Sequence, residues 1–214
     1  IKNFIKDQAP DIVLVQEYYN KEKNNLKYPY SFIKKAKSKQ NKAGLAIFSK
    51  YPIINKGSLN FQNTSNDILF ADIIRKKDTI RVYNFHLQSL RLKPDKENFG
   101  VPNSEKLIER LKEGFTKQAE QVEKFLAHEK QWKGKIIIGG DFNNTSYSWV
   151  YNQVAKNKKD AFIEAGKGFG KTFDYKFPMR IDFILTDENA IVNQFTTFTE
   201  KNSDHFPIQA KINW

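Results

Sequence analysis

The 214-residue chain is predicted to fold as a layered α/β or α+β domain, on three observations. Short apolar runs bounded by Pro, Gly, Asn or charged turns recur along its length, which is the pattern of many strands. One stretch alone carries a sustained helical period. Polar residues unusual for a strand fall at the ends of several runs, with no internal repeat, linker or low-complexity block between them. A chain of this size buries roughly 70% of its unfolded surface, so one domain over residues 1–214 is the expected unit.

The elements follow in order. Residues 1–9 read as the end of an amphipathic helix, with Ile1, Phe4 and Ile5 on one face and Pro10 closing it. Residues 11–17, Asp-Ile-Val-Leu-Val-Gln-Glu, are a continuous apolar run ending in a carboxylate, as suits a strand covered on both faces. Residues 45–49, 68–74 and 79–87 are further strands, set apart by Pro52, Asn66 and the charged turn at 75–78. Residues 88–103 are polar and hold Pro94, Gly100 and Pro102, so a long functional loop is expected. Ser104 is placed as the cap of a helix reaching about His128, with Leu107, Leu111, Phe115, Ala119, Val122 and Leu126 three or four residues apart. A buried strand over 135–140 runs into a Gly-Asp turn, residues 166–180 form a Gly-rich, aromatic and basic loop, and strands over 181–185, 191–199 and 207–212 complete the chain.

Composition removes several function classes. With 39% hydrophobic, 14% aromatic and 28% charged residues, the chain is neither a disordered tail, a collagen-like rod nor a coiled coil. Zero Cys excludes a disulfide framework, a thiolate zinc site and a Cys nucleophile, and leaves the compartment open. No apolar run approaches the ~20 residues of a bilayer span, and no secretory signal opens the chain. The sequence starts at Ile1 rather than Met and is read as a piece of a longer protein. The net charge is +12, and residues 21–42 hold eight Lys against one Glu, which points toward a polyanion such as nucleic acid or anionic headgroups. Yet 31 of the 36 cations are Lys and the chain carries 20 Asn, a bias with the look of an AT-rich genome.

The chemistry lies in the strand-end polar residues. Glu17 ends the first strand. Asn84 and His86 sit two apart around Phe85, so a strand sends both side chains to one face, and Asp141 and Asn143 flank Phe142 after a Gly pair. Asp182 interrupts an apolar strand, where a buried carboxylate needs a basic or imidazole partner. Asp204 and His205 precede the last strand. Taken singly each has an ordinary explanation: a solvated strand end, a turn, a cap. As a set they are hard oxygen donors with few imidazoles, which favours Mg²⁺ or Mn²⁺ over zinc. No His-Glu-x-x-His pair or Gly-x-Ser-x-Gly elbow is present, and no Gly-rich nucleotide loop follows a strand. What remains is metal-assisted attack of water on a phosphoester.

Gln16-Glu17, Asn84-Phe85-His86-Leu87, Gly140-Asp141-Phe142-Asn143, Arg180-Ile181-Asp182 and Ser203-Asp204-His205 occur in this order, together with the segment from Gly44 to Pro52. The set resembles the endonuclease/exonuclease/phosphatase superfamily, which includes DNase I-like nucleases, abasic-site endonucleases, sphingomyelinases and inositol polyphosphate 5-phosphatases. The resemblance spans residues 12–205. It implies a four-layer α-β-β-α sandwich with the site at one end of two packed sheets. It implies Glu17 as principal metal ligand, Asp204 as another, and Mg²⁺ or Mn²⁺ as cofactor. Asp141 would position and activate water, Asn143 would hold the phosphate or a second ion, His205 would contact the scissile phosphate in a pair with Asp182, and His86 would be a second phosphate-facing imidazole.

One departure stands out. Family domains open with a strand ending in a metal-facing Asn, and neither is in this chain, so a sheet short of one strand and a site short of one ligand are expected. Some bacterial relatives carry membrane spans ahead of the domain, which leaves a membrane tether open. The expected substrate is a polyanionic phosphoester, with a nucleic-acid phosphodiester ahead of a phospholipid or inositol phosphate on account of the charge. A non-catalytic polyanion-binding module is the other reading. Substrate-binding candidates are Asn84, Arg91, Lys171 and Arg180, with Lys93 and Lys167 in the same loops. No protein partner is inferred.

Overall fold

A computed structural model describes residues 1–19, 26–35, 43–90 and 104–214. In chain order the elements are α1 (Lys2–Gln8), β1 (Ile12–Tyr18), β2 (Tyr30–Lys34), β3 (Gly44–Ser49), β4 (Ile53–Ser58), β5 (Asp67–Arg75), β6 (Asp78–His86), α2 (Ser104–Glu129), β7 (Lys135–Asp141), α3 (Trp149–Ala155), β8 (Lys158–Asp160), α4 (Ala161–Ala165), β9 (Asp182–Asp187), β10 (Ile191–Thr197) and β11 (Ile208–Asn213). Six strands make the main sheet in the order β4-β5-β6-β7-β9-β8, and only the central β6–β7 pair is parallel.

Alternation along β5 and β6 builds two cores, one on each face of this sheet. Ile68, Tyr83 and Phe85 point to one side, where Ile138 and Phe183 join them against Val122 and Phe125 of α2. Leu69, Ala71, Ile73, Ile80 and Val82 point to the other, against Leu45 and Ile47 of β3. Each fully buried side chain of this size is worth about 1.5–3 kcal/mol. The second sheet is β1-β3-β2, and β10 pairs with β11 in a separate two-stranded unit. Trp214, just after β11, packs on the same core as Ile12 and Leu14 of β1. α1 lays Phe4 edge-on against Phe198 at 4.8 Å. The mixed class and packed sheets are those expected from the sequence.

The seam between the sheets is polar at one end. Asn84, fully buried, donates its amide to Val15 O at 3.1 Å and Ala46 O at 2.9 Å, and accepts from Gln16 Nε2 at 2.6 Å. β1 comes down here onto the Gly pair of β7. A Cβ on Gly140, whose φ is +134°, would lie 2.2 Å from Phe85 O, so only glycine serves.

Five elements were not anticipated from the sequence: β2, β4, α3, β8 and α4. β2 falls in the lysine-rich segment, but its Lys34 is tied to Asp67, Ser58 and Asn60 across the sheets rather than displayed. β4 is an edge strand with a half-exposed pattern, and β8 has three residues. The inward stripe of α2 also differs from the expected one. Phe115 is 47% exposed, while Gly114, Gln118, Gln121, Val122 and Phe125 are buried. The lysine-rich stretches 20–25 and 36–42 and most of the expected long loop, 91–103, lie outside the described residues.

Candidate active site

Strand register assembles the site. Asp67 pairs with His86, His86 with Asp141, and Asp141 with Asp182, so β5, β6, β7 and β9 carry one row of polar residues across the sheet. Side chains opposite one another in a ladder share a face, and this face is the one that meets β1. The segment before β11 delivers His205 to the end of the row, where an isolated bridge links it to Phe173.

Within the row, His205 Nδ1 lies 2.9 Å from Asp182 Oδ2, and His86 Nε2 lies 3.9 Å from Asp141 Oδ2. Donor atoms of Asp141, Asp182 and His205 all fall within 4.8 Å of one another. Burial, the neighbouring Asp182 and, to a lesser degree, Glu17 push the Asp141 carboxyl up to about 8, against the opposing pull of His205 and the Asn143 N–H. Burial opposes the charge on His205, but Asp182, Asp141 and Asp204 outweigh it and raise that imidazole to about 9. Burial and His205 drive His86 down to about 4, so it is neutral at pH 7. The result at pH 7 is one imidazolium paired with Asp182 beside the mostly protonated Asp141, and one neutral imidazole.

This donor set suits a hard divalent cation. Asp141 is a buried carboxyl whose ionisation is suppressed by other carboxylates, and a cation beside it would relieve that cost. Asp182 is committed to His205, so the oxygens to offer are those of Asp141, whose carboxyl also feels the charge of Glu17. Glu17 sits at the β1 bulge with φ +51°, an uncommon conformation for Glu that turns its exposed side chain out of the strand pattern. Neither Glu17 nor Asp204 joins the tight group, and Asp204 is exposed. Asn143, also left-handed at φ +50°, donates its backbone N–H to Asp141 Oδ1 at 2.7 Å and its amide to Asp141 Oδ2 at 2.8 Å and Leu87 O at 3.0 Å. Its side-chain oxygen, Oδ1, is the atom left for a ligand.

Several sequence-based assignments change. Asn84 was expected to bind substrate, but its amide is spent joining the two sheets. Arg180 was expected to be a phosphate contact. It is nearly buried, with Nη1 2.6 Å from Asp160 and its guanidinium over Phe162 and Phe183 at 4.7 and 4.6 Å, so it belongs to the core under the site. Lys171 stays at the rim, half-exposed, 3.2 Å from Asp174 and over the Phe206 ring. Arg91 and Lys93 lie outside the described residues.

Sequence reasoning missed the residues that hold the site. Gln118 of α2 donates to Gln88 O at 2.8 Å and to Phe142 O and Asn143 O at 3.3 Å, and accepts from Asn144, bracing the turn that carries Asp141. Thr172 Oγ1 accepts from the backbone of Ile181 and Asp182 at 3.0 and 3.1 Å, while its carbonyl accepts from Phe206 N at 2.7 Å. One threonine thus fixes both partners of the His205–Asp182 pair. A Gln on the inward stripe of a helix is the signal that was available for Gln118.

Comparison with known proteins gives the family and the fold. The model of a family described as the Endonuclease/Exonuclease/phosphatase family matches residues 1–205. No curated protein matches the chain. Solved structures with a similar fold include humanized D. rerio TDP2 carrying 14 mutations, at 16% identity and TM-score 0.72 over 99% of this chain and 89% of that one. The mannosyl-6-phosphatase Bt3783 of Bacteroides thetaiotaomicron VPI-5482 aligns at 16% identity and TM-score 0.67, over 100% and 89% of the two chains. Beta toxin 275-280 from Staphylococcus aureus aligns at 20% identity and TM-score 0.64, over 97% and 88%.

Proposed function

The chain belongs to the endonuclease/exonuclease/phosphatase family, and from that premise we propose that it is a divalent-metal-dependent phosphodiester hydrolase with a nucleic-acid-type substrate. The observation that carries the reading is the row His86–Asp141–Asp182 closed by His205 at 2.9 Å from Asp182.

In this reading His205, charged and oriented through Nδ1 by Asp182, offers Nε2 to a phosphoryl oxygen and stabilises the charge that grows there. His86, neutral, serves as a hydrogen-bonding group rather than a cation. Asp141 takes the proton of the attacking water as the new P–O bond forms and the ester P–O bond breaks. Asn143 fixes both oxygens of that carboxylate, and Gln118 fixes the turn. Mg²⁺ or Mn²⁺, held by Asp141 and Glu17 with Asn143 and Asp204 near, would polarise the phosphoryl oxygen and lower the proton affinity of Asp141. The net charge of +12 supports a polyanionic substrate.

Nicking of supercoiled plasmid with Mg²⁺, beside an EDTA control and His205→Ala, tests the reading. Metal-dependent nicking that disappears in the variant is expected. Equal nicking by the variant would remove His205 from the chemistry. Turnover of a phospholipid or inositol phosphate in place of DNA would keep the site and change the substrate. No helix among the described residues is long and apolar enough to cross a membrane.

A further inference from the structure

The imidazole of His205 is the inner end of a series of rings. Phe173 contacts it at 5.1 Å between centroids, Tyr175 stacks on Phe173 at 6.5 Å with 29° between planes, and Phe177 meets Tyr175 edge-on at 6.1 Å. Exposure rises along the series: Phe173 and Tyr175 are partly covered, and Phe177 is 69% exposed. Single exposed aromatics are ordinary on a protein surface. Three in sequence that lead outward from the imidazole of a phosphoester site are not explained by core packing.

The inner part of the segment, residues 172–175, is held by backbone hydrogen bonds, and Phe177 extends from it. Phe173 bridges both Met179 and His205, Thr172 N and Phe173 N donate to Met179 O at 2.9 and 3.2 Å, and Asp174 N donates to Asp204 O at 2.7 Å. The Asp174 carboxylate is neutralised by Lys171 and Lys201 at 3.2 and 2.9 Å, so the ladder carries no bare negative charge toward a phosphate chain. A rigid ring surface loses little entropy when a ligand is laid on it.

We propose that Phe173, Tyr175 and Phe177 form a stacking subsite that receives unpaired nucleobases flanking the phosphate at His205, which makes single-stranded nucleic acid the preferred polymer. This deepens the phosphodiesterase reading and rests on it for the position of the phosphate. Every base presents a π-face, so such a platform is tolerant of sequence, and each base–aromatic stack contributes severalfold to affinity. A duplex keeps its base faces inside its own stack and offers the ladder nothing.

The test is binding of the chain, in EDTA, to a fluorescent oligothymidylate, to the same strand annealed to its complement, and to an abasic strand of equal length and charge. Tyr175→Ala and Phe177→Ala are compared with the conservative Phe177→Trp, and melting temperatures confirm that each variant is folded. Each alanine is expected to weaken the thymidylate strand about tenfold and leave the abasic strand unchanged, whereas Phe177→Trp keeps the parent's affinity. Equal weakening of abasic and base-bearing strands, or no weakening at all, overturns the subsite. Loss of binding to phosphatidylglycerol vesicles with unchanged binding of the strand also overturns it and assigns the rings to a membrane surface. Base-dependent binding without cleavage of any phosphodiester would leave the ladder standing and remove the hydrolytic reading, so the two fail separately.

Discussion

Asp141 and Asp182 face each other from adjacent strands with the His205 imidazole beside both, and burying the two carboxyl groups together costs stability. The Asp141 carboxyl is raised to about 8 because burial and Asp182 resist its charge. At pH 7 in EDTA that carboxyl is mostly protonated in the fold but ionised in the unfolded chain, a cost that Asp141→Asn removes while keeping the shape, so the variant should melt at least as high as the parent while losing about 10²–10⁴-fold in rate. A clear drop in melting temperature would mean that the carboxylate contributes to the fold. The same groups set a pH dependence. His205, raised from 6.5 to about 9, contributes stability that is complete below 6.5 and is lost as pH climbs through 9. Asp141, raised from 3.8 to about 8, keeps a proton that the unfolded chain has shed, so stability also falls as pH rises from 3.8 and levels off above 8. His86, shifted down to about 4, titrates below this window. The metal-free protein should therefore lose stability steadily from pH 6.5 to 9, as a series of thermal melts in EDTA reads directly. A flat or rising profile would contradict this electrostatic account.

Between residue and fold stand the elements that aim these groups. β7 ends in a turn that α2 grips through Gln118, and three backbone carbonyls accept from its one amide nitrogen. Gln118→Ala leaves those buried groups without their donor, which costs about 1–3 kcal/mol. Because the turn carries Asp141 and Asn143, kcat should fall more than KM rises, and Gln118→Glu should restore little since a carboxylate has no N–H to give. An unchanged kcat with only a lower melting point would make Gln118 a packing residue. The elements read correctly from sequence are those with strong local patterns: the apolar runs at β1, β3, β5, β6, β7 and β9, and the long helix α2, though β1 is half-buried rather than covered on both faces as expected. β4 and β8 escaped because an exposed edge strand and a three-residue strand bury too little to mark the sequence. On the inward face of α2, Val122 and Leu126 pack as expected, but toward its start a glycine and two glutamines, not Leu and Phe, meet the loop and turn beneath.

At the scale of the whole molecule, the legible residues are those whose chemistry constrains their type. His86, Asp141, Asn143, Asp182 and His205 stand out as polar groups beside apolar runs, and their meeting depends on register that only the fold supplies, while Glu17 stays outside the tight group. The cations were not legible in this way, because a positive charge looks the same whether it faces a substrate or a buried carboxylate. Arg180 illustrates the point, being sealed against Asp160 and two Phe rings. The contrast gives a last prediction. A cation that binds only the folded site raises stability by RT ln(1 + [L]/Kd), about 2.7 kcal/mol at a hundredfold excess over Kd. Mg²⁺ or Mn²⁺ should raise the melting temperature of the parent, and Asp141→Asn should abolish the rise. Arg180→Ala leaves Asp160 buried without its cation and should lower the baseline by about 3–5 kcal/mol, yet keep the metal-induced increment, because Arg180 lies under the site and not in it. An increment that survives in Asp141→Asn would move the metal elsewhere. One lost in Arg180→Ala, in a variant still folded, would put Arg180 back among the groups that shape the site.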